Sequence, residues 1–320
     1  MKKKLTLVLS VLSIFSFLGC AKKKEPAKIK EQGGKIKIYT TFYPACEFTK
    51  IIAGDLVDTV NPVPAGTDPA VWMPSREVIG GYQSESALIF INGAEYEKWL
   101  KKVMLPESKI IDTSKPLEND FIRIPGAVTH SHTKFKDAAN LEEGKHSHEG
   151  IDGHTWLDPE NAKVQASVIR NALVKLMPEK TEKIEAGYSV LVWKLNELDT
   201  MFRELGTKYK GQYLVASHPA YNYLAKRYGW KIKSFFFSPY SVPAQTDVEE
   251  FKTFVKKKEV KYLIWADCPS AEVERYFLDG YCIKSIEFST CASPSAEEIK
   301  SGSDYFSIMK QNIQNLSVLF

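Results

Sequence analysis

A long helix is predicted in the middle of the chain, and the rest of the sequence divides into two halves around it. Its apolar residues recur at alternating spacings of four and three, which places them along one face of an α-helix. They are Ile184, Tyr188, Leu191, Leu195, Leu198, Phe202 and Leu205. Over residues 179–207, at about 1.5 Å per residue, such a helix is roughly 40 Å long, enough to run the length of a two-domain body. A single stiff helix of this kind resists large hinge movements between the parts that it connects.

Strand and helix signals alternate on both sides of this helix. The 320 residues suit two domains of ordinary size. In the first half, strands are predicted at residues 35–39, 58–63, 87–91 and 109–112, and helices at 46–53, 75–84 and 95–103. In the second half, strands are predicted at residues 212–216, 231–235, 261–265 and 282–286. The alternation predicts the α/β class, with two four-stranded, mainly parallel lobes joined by one long rigid helix.

The predicted boundaries follow from this alternation. They are residues 36–177 for the N-terminal lobe, 178–208 for the connecting helix and 209–320 for the C-terminal lobe. Within the first lobe, residues 125–153 show no periodicity and are rich in Gly, His, Lys and Glu. A polar loop of this length in a compact domain is usually functional or disordered.

The N-terminal residues have the features of an export signal. Three lysines precede an apolar run that ends at Leu18 and is too short to span a membrane comfortably. Gly19 before Cys20 predicts removal of residues 1–19 and acylation of Cys20, with cleavage at another position as the alternative. Residues 20–35 are polar and basic, and they predict a flexible, lipid-anchored tether. We therefore expect an exported protein held at the cell envelope.

The charge of the mature chain gives no reason to expect a nucleic-acid partner. Residues 1–19 contain three lysines and no acidic residue, so their removal lowers the formal net charge from +4 to +1. The histidines are more informative, because five of the six fall within 25 residues, which is typical of metal handling. These five are His130, His132, His146, His148 and His154.

His154 stands where a loop can present an imidazole to a cleft. Asp158 is a good N-cap and Pro159 suits the first helical position, so a helix is predicted to begin at Pro159, with its cap four residues after His154. In open α/β sheets the ligand crevice lies beyond the carboxyl ends of the strands. His218 and Asp267 each follow a predicted strand of the second half. Two imidazoles with a carboxylate suit a borderline cation such as zinc.

Several motifs together resemble the metal-binding lipoproteins of zinc and manganese ABC transporters, and the likeness runs from Thr40 nearly to the C-terminus. The matching pieces are TTFYP at 40–44, GTDP at 66–69, NGAE at 92–95, HTWLDP at 154–159, SHPAY at 217–221 and DYF at 304–306. The resemblance implies two α/β lobes with a rigid connecting helix, and it implies His154 and His218 as metal ligands. Histidine rather than glutamate at position 218 is similar to the zinc-type branch, so zinc is expected ahead of manganese.

Two positions depart from the pattern of that family. Ala70 stands where the family has a histidine after Gly-x-Asp-Pro, and no aspartate lies at residues 289–291. Cys291 falls near the missing aspartate and could supply a thiolate; the alternative is a disulfide or a buried thiol, with Cys282 as its nearest partner in sequence. Asp267 matches a family glutamate that lies near the site but is usually not a ligand. The predicted ligands are therefore His154, His218, Asp267 and Cys291.

The sequence thus predicts an extracytoplasmic solute-binding lipoprotein of a metal ABC transporter, and not an enzyme. The expected partners are a divalent metal ion, the permease membrane subunit and, through the lipid anchor, the membrane; the expected state is a monomer. One alternative is a divergent paralogue with weak or lost metal binding that takes another small ligand or acts as a surface interaction protein. Another is a zinc hydrolase, because an incomplete ligand set leaves a position open for water.

Overall fold

The computed structural model describes residues 35–124, 129–131, 145–147 and 150–320, with backbone only for 129–131 and 145–147. Lys35–Phe320 form one compact unit. The predicted signal peptide, Cys20 and most of the tether lie outside the described residues, as do the side chains of the four loop histidines. In the part of the chain that is described, no helix is long and apolar enough to cross a membrane.

The first half contains a sheet of four parallel strands. They are β1 (Ile36–Thr40), β2 (Val57–Val60), β3 (Leu88–Ile91) and β4 (Ile110–Asp112), in the spatial order β2-β1-β3-β4. Helix α1 (Tyr43–Ala53) connects the first two strands and α2 (Arg76–Ser84) precedes the third. Ile38, Ile89 and Phe90 have no exposed surface, as expected for parallel strands that are covered on both faces.

Two short antiparallel ladders follow in the region for which no regular structure was predicted. Strand β5 (Arg123–Ile124) pairs with β8 (Gly150–Ile151), and β6 (Thr129–Ser131) pairs with β7 (Lys145–Ser147). In the second ladder the backbone of His130 lies opposite that of His146. Strands of two or three residues are too short for the alternation of apolar and polar residues to reveal them.

Two long helices come next and lead into the second half. Helix α3 (Pro159–Leu176) begins at the predicted residue, and the Asp158 side chain accepts a hydrogen bond from the Glu160 N–H. Helix α4 (Thr181–Gly206) has 26 residues, so it is about 39 Å long. The predicted apolar face is the buried one: Ile184, Leu191, Leu195, Leu198 and Phe202 have no exposed surface.

The second half repeats the topology of the first. Strands β9 (Tyr213–Ala216), β10 (Lys231–Ser234), β11 (Tyr262–Trp265) and β12 (Lys284–Glu287) are parallel, in the order β10-β9-β11-β12. Their helices are α5 (Asn222–Tyr228), α6 (Gln245–Lys258), α7 (Ala271–Tyr281), α8 (Ala296–Lys300) and α9 (Tyr305–Leu316). The predicted α/β class with two four-stranded parallel sheets is confirmed; the exact lobe boundaries stay a prediction.

The helix predicted at residues 95–103 is wrong. The structure has only a 3₁₀ turn there, at Lys98–Lys102. Gly93, Ala94 and Glu95 all have positive φ values, 80°, 49° and 57°, which an α-helix cannot contain. The Glu97 carboxylate explains the difference, because it accepts hydrogen bonds from the backbone N–H groups of Asn92 (2.6 Å) and Gly93 (3.2 Å). Hydrogen bonds from the backbone to the Glu97 carboxylate thus hold this segment in a turn, where the local sequence alone would favour a helix.

The possible disulfide between Cys282 and Cys291 is also absent. Both residues are free thiols, as is Cys46. Cys282 is exposed at the end of α7, whereas Cys291 is fully buried. The exposed and the buried thiol therefore lie in different environments, and closeness in sequence did not bring them together.

Candidate metal centre

A small polar cavity of about 60 Å³ brings together three of the four predicted ligands. His154, His218 and Asp267 all line it, together with Asp68 and Tyr240. His218 lies two residues after the end of β9, and Asp267 lies two residues after the end of β11. These two strands are neighbours, and the chain leaves them in opposite directions along the sheet, so the cavity lies at the topological switch point where such sheets bind ligands.

His154 is held by a buried carboxylate. Its Nδ1 lies 2.9 Å from Asp152 Oδ1, and its backbone N–H donates to the same oxygen over 3.0 Å. The Asp152 side chain is fully buried, and that of His154 is 10% exposed. With the Nδ1 proton directed at Asp152, Nε2 keeps its lone pair, which is the arrangement that metal-ligating histidines commonly have.

The loop that carries His154 is fastened to the first sheet. Asn92, which directly follows β3, donates from Nδ2 to the Gly153 carbonyl over 2.8 Å. The Thr155 hydroxyl donates to Asn92 Oδ1 over 3.1 Å. Gly153 itself allows the close contact with Tyr96, because a Cβ there would be 2.7 Å from the Tyr96 ring. The backbone on both sides of His154 is therefore fixed.

His218 faces His154 across the cavity. His218 is only 4% exposed. The preceding Ser217 is tied to the second sheet, since its N–H donates to the Ile264 carbonyl over 2.8 Å and its own carbonyl accepts from Phe237 N–H over 3.0 Å. The two imidazole ring centres are 5.5 Å apart and nearly perpendicular, at 87°. Two imidazoles on one tetrahedral zinc, with Zn–N bonds of about 2.0 Å, have ring centres roughly 5 Å apart, so this separation suits a shared ion.

Two carboxylates, Asp267 and Asp68, line the same cavity. Asp267 is exposed and Asp68 is half-buried. Asp68 Oδ1 accepts hydrogen bonds from the Tyr96 hydroxyl over 3.2 Å and from the Ala70 N–H over 2.9 Å. Burial, and then the negative charge of Asp68, holds the pKa of Tyr96 well above its usual value, so this hydroxyl remains a donor. The Tyr96 ring also lies edge-on to His154, with centres 5.6 Å apart, and so links the carboxylate to the imidazole.

These side chains do not yet form a complete coordination sphere. Within the described residues, no three His, Cys, Asp or Glu side chains are close enough to hold one metal ion between them. The more deeply buried part of the centre is the imidazole pair, and the two carboxylates are more accessible to solvent.

Comparison with known proteins gives the family. The model of the family described as "Zinc-uptake complex component A periplasmic" matches residues 38–318. The chain belongs to this family. The zinc-binding protein AdcA of Streptococcus pyogenes serotype M1 is 31% identical over 322 residues, which cover 99% of this chain and 61% of the relative. The chain thus spans about three-fifths of the length of that relative. The high-affinity zinc uptake system protein ZnuA of Bacillus subtilis is 28% identical over 93% of this chain and 91% of its own length.

Two solved structures of similar sequence have the same architecture. The metal-dependent lipoprotein YcdH of Bacillus subtilis matches with a TM-score of 0.74 and 27% identity, over 89% of this chain and 98% of that one. The Zn(II)-bound ZnuA-like domain of Streptococcus pneumoniae AdcA matches with a TM-score of 0.74 and 28% identity, over the same shares of the two chains.

Cys291 is the predicted ligand that the structure does not bring to the cavity. Its neighbours Thr290 and Ala292 line the cavity, but Cys291 has no exposed surface and its Sγ lies 3.9 Å from the Ser289 carbonyl oxygen. Burial raises the pKa of the Cys291 thiol well above its usual value, which disfavours the thiolate that zinc requires. Its φ of 58° lies in the left-handed region, which is uncommon for a residue other than glycine.

Sequence reasoning missed three residues around the site. Asp68 carried a usable signal, since a carboxylate in a turn after a parallel strand lies at the ligand edge of the sheet. Asp152 carried a weaker signal, which is its position two residues before His154 in the sequence. Tyr240 carried none, because it lies in a long connection whose path cannot be inferred from periodicity.

Proposed function

We propose that this protein is the extracytoplasmic solute-binding lipoprotein of a metal ABC transporter, which captures a zinc ion and delivers it to the permease. The observation that carries the proposal is the pair of buried imidazoles, His154 and His218, 5.5 Å apart at one cavity. Relatives of this chain are named as zinc-binding or zinc uptake proteins. Imidazole suits zinc, whereas manganese prefers oxygen ligands, so manganese comes second.

In this proposal the histidines bind first and the carboxylates complete the sphere. Both histidines are buried; the His154 imidazole is held by Asp152, and the backbone beside His218 is tied to the second sheet, so the two rings would supply the first two ligands. Asp267 and Asp68 border the same cavity with exposed and half-buried side chains, and in this proposal they turn toward the ion. Together they would give four ligands, the number that a closed zinc site needs. Cys291 is the reserve candidate, and its thiol would have to leave the core to bind.

The remaining parts of the proposal concern location and partners. Residues 1–19 would be removed and Cys20 acylated, with residues 20–35 as the tether between membrane and globular unit. The permease subunit would receive the ion from residues 36–320, arranged as the two lobes and the connecting helix with the boundaries predicted above. The proposed state is a monomer. The proposed action is binding and release, with no catalytic step.

A zinc titration of the metal-free full chain, in competition with a chromophoric chelator, tests the site. His154→Ala and His218→Ala should each weaken zinc binding by more than about 100-fold, because a ligand lost from a fixed inner sphere costs more than a lost outer contact. Asp267→Asn and Asp68→Asn should each cost about tenfold. Four matched controls, His130→Ala, His132→Ala, His146→Ala and His148→Ala, should each stay within about threefold of the parent.

Three results would decide against parts of this proposal. Parent-like binding by the His154 and His218 variants, with binding lost on deletion of residues 125–149, would move the metal site to the histidine loop. A 100-fold loss in Cys291→Ala would make Cys291 a ligand. Absence of saturable zinc binding tighter than about 1 μM in the parent would favour the divergent paralogue, which Ala70 and the lack of an acidic residue at 289–291 make the second candidate.

A further inference from the structure

The two candidate ligand segments are joined by a direct hydrogen bond outside the cavity. Asn222, the first residue of α5, lies four residues after His218. Its Nδ2 donates to Asp152 Oδ2 over 2.9 Å, while the other oxygen of the same carboxylate accepts from His154. Asp152 therefore stands between the segment that carries His218 and the imidazole of His154.

The Asp152 carboxylate can hold the His154 imidazole in place relative to Asn222, because it is bonded to both. It is fully buried, so neither of its oxygens can exchange a protein partner for bulk water without a structural change. Asn222 is itself restrained, because the same Nδ2 also lies 3.1 Å from the Pro219 carbonyl, within the turn that follows His218. The series from the turn after His218 to His154 thus consists of hydrogen bonds of 3.1, 2.9 and 2.9 Å, made through the side chains of Asn222 and Asp152.

We infer that Asn222 is a positioning residue for metal capture. Acting through Asp152, it fixes the His154 imidazole relative to the segment of His218, so that the two nitrogens are set before the ion arrives. This inference rests on the proposed function, since it assumes that both histidines bind the ion. Ligand groups that are already ordered do not lose conformational freedom on binding, and outer partners of metal-bound histidines typically change metal affinity by 10- to 100-fold.

A purely structural role for Asn222 makes a different prediction. If Asn222 only shaped the start of α5, its loss would disturb His218, and it would weaken zinc binding whether or not His154 is present. If it acts through Asp152 and His154, its loss should have no further effect once the His154 imidazole is gone. A double-variant comparison therefore separates the two roles.

The experiment measures zinc affinity by chelator competition on the full chain in the four combinations of Asn222→Ala with His154→Ala. Asn222→Ala should weaken binding about tenfold in the parent, and by less than about twofold in the His154→Ala background. Asn196→Ala, an exposed asparagine on α4, is the matched control and should remain within about twofold of the parent. Asp152→Asn provides a second variant in case Asn222→Ala does not fold, and it should cost at least as much affinity as Asn222→Ala.

The outcomes distinguish this inference from the proposed function. Equal losses from Asn222→Ala with and without His154 would overturn the positioning role and leave the metal site intact. So would parent-like affinity of Asn222→Ala when His154→Ala and His218→Ala have lost binding. Parent-like affinity of the two histidine variants would overturn both proposals together.

Discussion

At the scale of single residues, the most unusual group is the buried carboxylate of Glu97. It accepts hydrogen bonds from the Thr41 hydroxyl and from two backbone N–H groups, yet burial raises its pKa to about 7. The folded protein therefore binds a proton at Glu97 more readily than the unfolded chain does, since the usual value is 4.5. The stability from this protonation is fully present below pH 4.5 and is lost as the pH rises through about 7.

Replacing Glu97 with glutamine removes this pH dependence. Relative to Glu97→Gln, the parent should lose about 3 kcal/mol of unfolding free energy between pH 4.5 and pH 8, because each unit of pKa difference corresponds to about 1.36 kcal/mol. Denaturant unfolding of both proteins at several pH values measures this difference. Exposed Glu107 provides the control, and Glu107→Gln should differ from the parent by no more than about 0.5 kcal/mol. A parent–variant difference that is the same at pH 5 and pH 8 would contradict the argument.

The residues of the candidate site differ in how far sequence could identify them. His154, His218 and Asp267 were predicted because an imidazole or a carboxylate just beyond a strand or before a helix cap has a position that local pattern fixes, and all three line the cavity. The hydrogen bond of Asn222 to Asp152 joins residues 70 apart in sequence, and no local pattern specifies such a pair. The metal-binding roles of His154, His218 and Asp267 remain predictions.

At the scale of secondary-structure elements, α4 shows why periodicity succeeded. Its apolar face packs against both halves, so the pattern of burial and the pattern of the sequence have the same period. The helix predicted at residues 95–103 failed because its first residue, Glu95, has a positive φ like Gly93 and Ala94 before it, in a turn that a buried carboxylate holds by hydrogen bonds. Local pattern thus identified the elements that are stabilised by one long face, and missed the one that tertiary hydrogen bonds determine.

Ion pairs also connect the helices near the site. The Arg227 guanidinium of α5 lies 3.2 Å from Asp158, the N-cap of α3, and 2.9 Å from Asp199 of α4. Its side chain is 16% exposed, so these pairs are partly shielded from solvent. Arg227 thereby attaches α5, which follows His218, to α3, which follows His154. It lies near the C-terminal end of α5, whereas Asn222 is the first residue of that helix.

The close approach of α4 to α1 leads to a prediction about Gly187. A Cβ at this position would lie 2.3 Å from the Ile52 carbonyl oxygen and 2.6 Å from that of Ile51. Glycine to alanine inside a helix normally adds up to about 1 kcal/mol of stability. In Gly187→Ala the clash with backbone atoms should reverse the sign and cost about 1–3 kcal/mol, since the two helices must separate.

Gly80 is the matched control for this prediction. It lies inside α2, and a Cβ there would have no atom within 4 Å. Gly80→Ala should therefore raise the unfolding free energy, by up to about 1 kcal/mol. Denaturant unfolding of the two variants and the parent tests whether Gly187→Ala lowers the unfolding free energy and Gly80→Ala raises it. Stabilisation by both substitutions would show that α1 and α4 are not packed as closely as described.

At the scale of the whole molecule, the two sheets share one apolar core. The largest cluster of buried residues includes Ile38 and Phe90 of the first sheet, Leu195 of α4, and Leu214 and Ile264 of the second sheet. A second cluster belongs to the second half alone, but it contains Val215 and Leu263, which alternate along β9 and β11 with residues of the first cluster. Because the same strands contribute to both clusters, we expect the two clusters to lose their packing together.

This shared core predicts that Lys35–Phe320 unfold in a single transition and that zinc raises its midpoint. His154 is fastened to the first sheet and His218 to the second, so an ion bound by both stabilises the whole unit only while both halves are folded. Zinc at 100 times its dissociation constant should add about 2.7 kcal/mol, which corresponds to roughly 5 °C for a unit of this size. Differential scanning calorimetry of the full chain, with and without zinc, measures the shift, and the double variant His154→Ala, His218→Ala should show none. Two separate transitions, of which zinc moves only one, would mean that the halves unfold independently and that the ion is bound by one of them alone.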